Sequence, residues 1–255
     1  MFKVLTFYPQ KMDKRLLCKF LLVIVVSFFM ATLLIRRFVY FDQRTPILPI
    51  PTVYKSIKHG HIYGLLADKA INEKVILFCQ SNTGNLSHNI QEVTDLKNLG
   101  FNVLIYDYSG FGRSAGVPSE QQLYSDASLM VTFLLQTYRA SDIILYGKGL
   151  GASVATYAAR RYGIPTLILV FPFVSTKTII SNTTLLKYLS WFFSDFDTSE
   201  YLTGYGGRSL MINSQQDEYI PYDSTAKLRQ LVSDHVLTTG ADIPLDTIKN
   251  FINKK

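Results

Sequence analysis

Cysteine is nearly absent from this chain: Cys18 and Cys79 are the whole supply in 255 residues. A disulfide framework is excluded, and both thiols are expected to be free. Histidine is almost as scarce, limited to His59, His61, His88 and His235, which confines imidazole chemistry to few positions. No His, Cys, Asp or Glu spacing of the usual metal-ligating kinds occurs, so neither a metal nor a cofactor is expected. The formal net charge of +7 comes without a Lys/Arg-rich block or an aromatic-interleaved basic stripe, which argues against a nucleic-acid partner. Internal repeats and low-complexity tracts are missing too. The most telling gap is one hydroxyl. The run "LYGKGLGASVATYAARRYG", Leu145 to Gly163, sets an apolar strand before a glycine-rich corner and an alanine-rich helix. That is the outline of a nucleophile elbow, G-x-S-x-G, where a strand-to-helix turn lifts a serine into a cleft. The five positions here are Gly147, Lys148, Gly149, Leu150 and Gly151, with no serine among them.

What is present begins with a long hydrophobic run. Phe20 to Ile35, "FLLVIVVSFFMATLLI", carries no charge. With Leu16, Leu17 and Cys18 it reaches about 20 residues, enough for a hydrocarbon core of ~30 Å if Lys19 snorkels. Residues 16–37 are therefore expected to be an uncleaved single-pass anchor, behind a basic flank at residues 1–15. A cleaved signal peptide is the alternative, with an apolar core of about 7–15 residues ending at a small-residue site. This run ends instead at Arg36-Arg37. Lys3, Lys11, Lys14, Arg15 and Lys19 precede the run, and Arg36, Arg37, Arg44 and Lys55 follow it. The positive-inside rule thus discriminates little; a cytoplasmic N-terminus is favoured. The cations fit attraction to a bilayer surface. The triplets Asn85-Leu86-Ser87 and Asn182-Thr183-Thr184 are no more frequent than chance and settle no compartment.

Residues 38–53, with Pro46, Pro49 and Pro51, read as an extended linker. Residues 54–255 then alternate between apolar strands and amphipathic helices. "HIYGLLAD", "KVILFC", "FNVLIYDY", "DIILYG", "TLILVFPF", "RSLMINS" and "DHVLTTG" read as strands. "NIQEVTDLKNLG", "SEQQLYSDASLMVTFLLQTY" with Ser119 as N-cap, "GASVATYAARRYG", "DSTAKLRQLV" and "LDTIKNFINKK" read as helices. The pattern predicts an α/β fold: a mostly parallel sheet with helices on both faces. Residues 175–208, aromatic and irregular with the only tryptophan, Trp191, read as a reduced cap over the carboxyl ends of the strands. The other reading is a surface helix packed on the core or dipping into a membrane interface.

From about Lys74 onward the chain resembles the α/β-hydrolases, in particular membrane-associated serine hydrolases of the palmitoyl-protein thioesterase-like and lysophospholipase-like kind. "YDYSGFGRSAGVPSEQQLYSDA", Tyr106 to Ala127, is similar to their D-Y-x-G-(Y/F)-G-x-S-x-G-x-P-S-E-x-x-L-Y-x-D block. "QSNTGNLSH", Gln80 to His88, resembles their H-G-N-A-G-N-I-x-H oxyanion loop, and "QQDEYIP", Gln215 to Pro221, the loop bearing their catalytic acid. The resemblance implies a serine that attacks an acyl carbonyl, a histidine that takes its proton and an acid that orients the histidine. It places the acid at Asp217, the nucleophile at Gly149 and the base at about Ala241, so the last two are degenerate. Gln80-Ser81 replaces the His-Gly of the oxyanion loop, with Asn82, Lys148 and Leu150 beside the vacant position. None of the four histidines falls where the base belongs. His235 opens the last strand, six residues and about 20 Å from Ala241 at ~3.3 Å per residue.

Replacement nucleophiles exist as residue types: Ser153 one helical turn past the elbow, Ser81 and Ser114 in loops, and a Ser–Lys pair through Lys148. The three serines lack an evident base, and a lysine at the second residue of the elbow is more often a solvated side chain. Asp107, after a strand, reads as structural. The expected function is that of a membrane-anchored pseudohydrolase, with the bilayer as one partner and an acyl-chain ligand or a protein as another. An active ester or thioester hydrolase with a rearranged site is the alternative. A third reading makes the anchor and its charges the functional piece and the rest cargo.

Overall fold

The computed structural model describes residues 14–40, 45–68, 74–181, 195–217, 220, 222–240 and 242–254, with side chains left out at 31–39, 180, 181 and 223. The basic flank up to residue 13, Trp191, the Asn182 triplet and Ala241 lie outside them. The chain divides into two units, Met1–Phe38 and Val39–Lys255. The first holds helix α1, Lys14–Val39, whose side chains from Lys14 to Met30 are all exposed. Among the described residues no helix is long and apolar enough to cross a membrane, so the span expected at residues 16–37 is not found there.

The second unit is built on an eight-stranded sheet in the order β1-β2-β4-β3-β5-β6-β7-β8. The strands are β1 Lys55–His59, β2 Ile62–Ala67, β3 Val75–Cys79, β4 Asn102–Tyr106, β5 Ile143–Lys148, β6 Thr166–Val170, β7 Arg208–Ser214 and β8 Asp234–Thr238. Strands β3 to β8 run parallel, and β2 is antiparallel to both β1 and β4. β3, β4 and β6 are buried along their whole length, as the unbroken apolar runs of a sheet covered on both faces require. The expected strands all appear; β1 does not stand out in the sequence. It is a polar edge strand whose alternation is masked by lysine, joined to β2 by a two-residue turn with Gly60 at φ 59.

Helices α2 Ile90–Asn98 and α8 Leu245–Asn253 bury Val93, Leu96, Ile248, Phe251 and Ile252 on one face, against Ile76, Phe78, Ile105, Ile144 and Ile168. Helices α3 Glu120–Leu134 and α4 Leu150–Tyr162 cover the other face. Ser119 caps α3 as expected, accepting the Gln122 N–H at 3.1 Å. Short helices α5 Thr176–Ser181 and α6 Thr198–Leu202 belong to the 175–208 insertion. The helix expected at 223–232 shrinks to a 3-10 turn followed by α7, Ala226–Arg229. The described parts of the proline-rich linker are fastened to the domain. Tyr40 is buried against Phe196, ring centres 6.1 Å apart, and Leu48 N–H donates to Ser87 Oγ.

Candidate functional site

The elbow geometry survives intact. Gly149 sits between β5 and α4 at φ 55, ψ −119, a conformation that L side chains rarely adopt and that strained turns hold by surrounding bonds. Its N–H donates to Val170 O at 2.9 Å and its carbonyl accepts from Ala152 N at 3.0 Å. The outer glycines are fixed by close backbone approach. A Cβ on Gly147 would run into Gly151 O and Ala152, and one on Gly151 into the carbonyls of Cys79 and Gln80. Helix α4 therefore lies so tightly across the ends of β3 and β5 that the frame would persist without any catalysis.

Ser81 approaches the elbow glycine from the opposite side. A Cβ on Gly149 would stand 2.6 Å from Ser81 Oγ and 3.3 Å from Ser81 Cβ. Ser81 stands where the resembled oxyanion-loop motif has glycine, so the side chain absent at 149 faces one present at 81. Ser81 donates to Asn82 Oδ1 at 3.2 Å, and among the described residues no imidazole bonds it.

The neighbouring positions are occupied with structural work. Gln80 is fully buried, donating to Tyr106 O at 3.2 Å and to Asp107 Oδ1 at 3.3 Å while accepting from Asn89 at 3.1 Å. Asp107, buried, also accepts the N–H groups of Leu86 at 2.8 Å and Arg113 at 3.0 Å. Burial lifts its carboxyl above the usual range against those bonds. A Cβ on Gly112 would strike its carboxylate. Asp107 thus welds two loops, as expected. Lys148 is not a free base. It pairs with Glu92 on α2, whose other oxygen accepts the Tyr146 hydroxyl. Burial, and then the Glu92 charge, hold that hydroxyl well above its ordinary value. Leu150 is buried.

The other hydroxyls are engaged as well. Ser153 is fully buried and shares a bond with Tyr124 at 3.1 Å. Ser114 donates to Asp107 O at 2.7 Å and accepts from Tyr63 N. Asp217 follows β7 and accepts the Ile220 N–H at 2.9 Å. On β8, Thr238 donates to Gly240 O at 2.7 Å just before position 241. His235 lies at the amino end of β8, stacked on Tyr222, its ring centre 5.9 Å away; burial, then Arg229, lower its pKa. His88 Nδ1 accepts the Asn85 N–H at 3.3 Å within a capping box, and His59 packs on Phe133.

His61 makes a contact that the sequence does not foretell. Its Nε2 lies 2.9 Å from Ser109 Oγ and 3.0 Å from Asp126 Oδ1. These are the residue types of a triad in another arrangement, with serine and acid on the same ring nitrogen. Ser109 and Asp126 are both fully buried, and Asp126 also accepts Ser109 N–H at 2.7 Å and Gln122 at 2.9 Å. This cluster fastens the β1–β2 turn to α3, with the Ser109 hydroxyl on its buried side. Two further residues carry unforeseen weight: Glu92, and Glu120, whose carboxylate accepts the N–H groups of Asp195 at 2.9 Å and Phe196 at 3.2 Å and so pins the insertion. The P-S-E of the family block is the only sequence signal for Glu120. Among the described residues no cluster of ligating side chains fits a metal ion.

A parallel sheet with antiparallel β2, a strand–Gly149–helix elbow over its centre and an acid after β7 define an α/β-hydrolase. Solved structures agree in fold. An α/β-hydrolase from Vibrio vulnificus has a TM-score of 0.67 at 18% identity, over 81% of this chain and 85% of that one. A Pyrococcus furiosus esterase has the same TM-score at 15% identity, over 82% and 96%. Residues 72–253 match the family "Serine aminopeptidase, S33" (Hydrolase_4), and the chain belongs to that family. It is similar to the lysophosphatidylserine lipase ABHD12 of Danio rerio, 29% identical over 187 residues, 65% of this chain and 49% of that protein. It is also similar to α/β-hydrolase domain-containing protein 17C of Homo sapiens, 32% identical over 123 residues, 48% of this chain and 36% of that one. The chain thus spans about half or less of the length of these relatives.

Proposed function

We propose that this protein is a membrane-tethered α/β-hydrolase homologue that binds an acyl lipid or a protein and does not cleave acyl bonds. One observation carries the reading: Gly149 holds the nucleophile's backbone conformation while Ser81 Oγ fills the nucleophile's seat. The base position at 241 is alanine, and each of the four histidines has another location. Without serine and histidine, an enzyme of this type retains only about 10³–10⁴-fold over water. Tethering is supported by the apolar run within residues 16–37 and the cations around it, with the N-terminus on the cytoplasmic side. The lipid named for ABHD12 makes an acyl chain the first ligand to test.

A fluorophosphonate probe on the purified full-length protein tests the reading. No covalent labelling is expected, whereas a triple variant Gly149→Ser, Ser81→Gly, Ala241→His gains labelling. Ser81 also supports a second reading, because its hydroxyl stands near the N-terminus of α4 where a nucleophile would. If the natural protein labels and Ser81→Ala abolishes it, the rearranged hydrolase is correct and the non-catalytic reading fails.

A further inference from the structure

The strip from Thr45 to Tyr54 has features that the hydrolase frame does not require. It is fastened along its backbone. Asn85 donates to Thr45 O at 3.1 Å and Leu48 N–H to Ser87 Oγ at 2.9 Å. A pinned, proline-stiffened segment would ordinarily turn its large side chains to the core. Instead Ile47, Leu48 and Val53 are 41%, 45% and 66% exposed. An open groove of about 430 Å³ runs beside them, bounded on its other wall by Ser56, Tyr63 and Arg113.

Cations rim this face. Arg113 lies 5.0 Å over the Tyr63 ring and donates to its hydroxyl at 2.9 Å. Lys58 is the register partner of Tyr63 across β1 and β2, and Lys97 stands 5.6 Å from the Tyr54 ring. Aromatic rings orient Arg113 and Lys97, and none of the three cations takes part in a salt bridge among the described residues. We propose that this face docks on an anionic phospholipid bilayer. Ile47, Leu48 and Val53 would enter the boundary between headgroups and acyl chains while Lys58, Lys97 and Arg113 meet the phosphates. Chain length supports this occupant. Only residues 38–44 separate Arg37 from Thr45, and seven residues reach at most about 25 Å. A tether ending at Arg37 therefore keeps the strip close to the membrane surface. The inference rests on the tethered reading for that proximity, and on its own side chains for the docking.

The test uses the full chain with Cys18→Ser and Val53→Cys, labelled at position 53 with an environment-sensitive fluorophore. It is reconstituted into phosphatidylcholine vesicles with or without about one-third phosphatidylserine. Nitroxide-bearing lipids are expected to quench the probe strongly with phosphatidylserine, weakly without it, and less as salt screens the charges. Lys58→Gln with Arg113→Gln should lower the docked-to-undocked ratio roughly thirtyfold, about fivefold per cation. Equal quenching in both vesicles, or quenching indifferent to those substitutions, overturns the proposal. So does shielding that rises with protein density alone, which would make a second copy the occupant. Failure of the tether is read separately, as protein that does not float with either vesicle. In that case quenching by added phosphatidylserine vesicles still supports docking, and its absence overturns it.

Discussion

At the scale of single residues, the exchange between positions 81 and 149 makes the sharpest claim. Gly149→Ala adds a methyl group to a φ 55 backbone against Ser81 Oγ. It is expected to cost about 2–3 kcal/mol, strain and overlap together. In a Ser81→Gly background the overlap disappears, so the same change should cost about 1–2 kcal/mol less. A double-mutant cycle by urea unfolding measures that coupling; strict additivity would mean that Ser81 does not occupy the seat. Glu92 tests the lysine beside the elbow. Glu92→Ala leaves Lys148 and the buried Tyr146 hydroxyl unpartnered and should cost about 3 kcal/mol, while Glu92→Gln, which keeps an acceptor, costs less. His235 adds a pH dependence. Its pKa is lowered in the fold by burial and by Arg229, so the unfolded chain takes up this proton at higher pH than the folded one. The contribution to stability is intact above about pH 6.5 and declines as pH falls through that value. His235→Leu should accordingly narrow the drop in Tm between pH 7.5 and 5.5.

At the scale of elements, the 175–208 insertion is joined to α3 through one carboxylate in the first turn of that helix. Glu120 accepts two successive N–H groups, from Asp195 and Phe196, beside Phe196 at φ 41. A positive φ at a bulky residue persists only where its surroundings over-determine it. Glu120→Ala is therefore expected to raise amide exchange across 195–202 about tenfold or more while leaving β3 to β6 protected. Equal loss of protection everywhere would show instead that Glu120 supports the whole sheet. What the sequence reveals and what it hides divides along the same lines. The central strands are legible because both of their faces are buried, which writes an unbroken apolar run. The strand β1 is not, because an edge strand exposes lysines whose polarity says nothing of pairing. At the site, the missing serine is legible from glycine spacing alone. The filling of its seat is not, since residues 81 and 149 meet only when the loop after β3 crosses the start of α4. The roles of Glu92 and Glu120 are hidden for the same reason: each partners residues more than 50 positions away.

At the scale of the whole molecule, the proposed tether is testable without knowing any ligand. The proposed anchor covers residues 16–37, and Val25 and Phe28 fall near the middle of its apolar run. An arginine at the centre of a transmembrane helix costs about 2.5–3.5 kcal/mol on insertion scales. Val25→Arg together with Phe28→Arg thus adds about 5–7 kcal/mol, enough to turn a stable anchor into a released segment. The natural protein should stay with membranes through an alkaline carbonate wash, and the double variant should appear in the supernatant. The sheet is a unit of its own, Val39–Lys255, so the released variant should keep the folded domain's Tm, which separates loss of anchoring from misfolding. Release of the natural protein by carbonate would remove the tether from the proposed function. The glycine at the elbow would stand unaffected, because its backbone is held within the second unit by β5, α4 and the Val170 carbonyl.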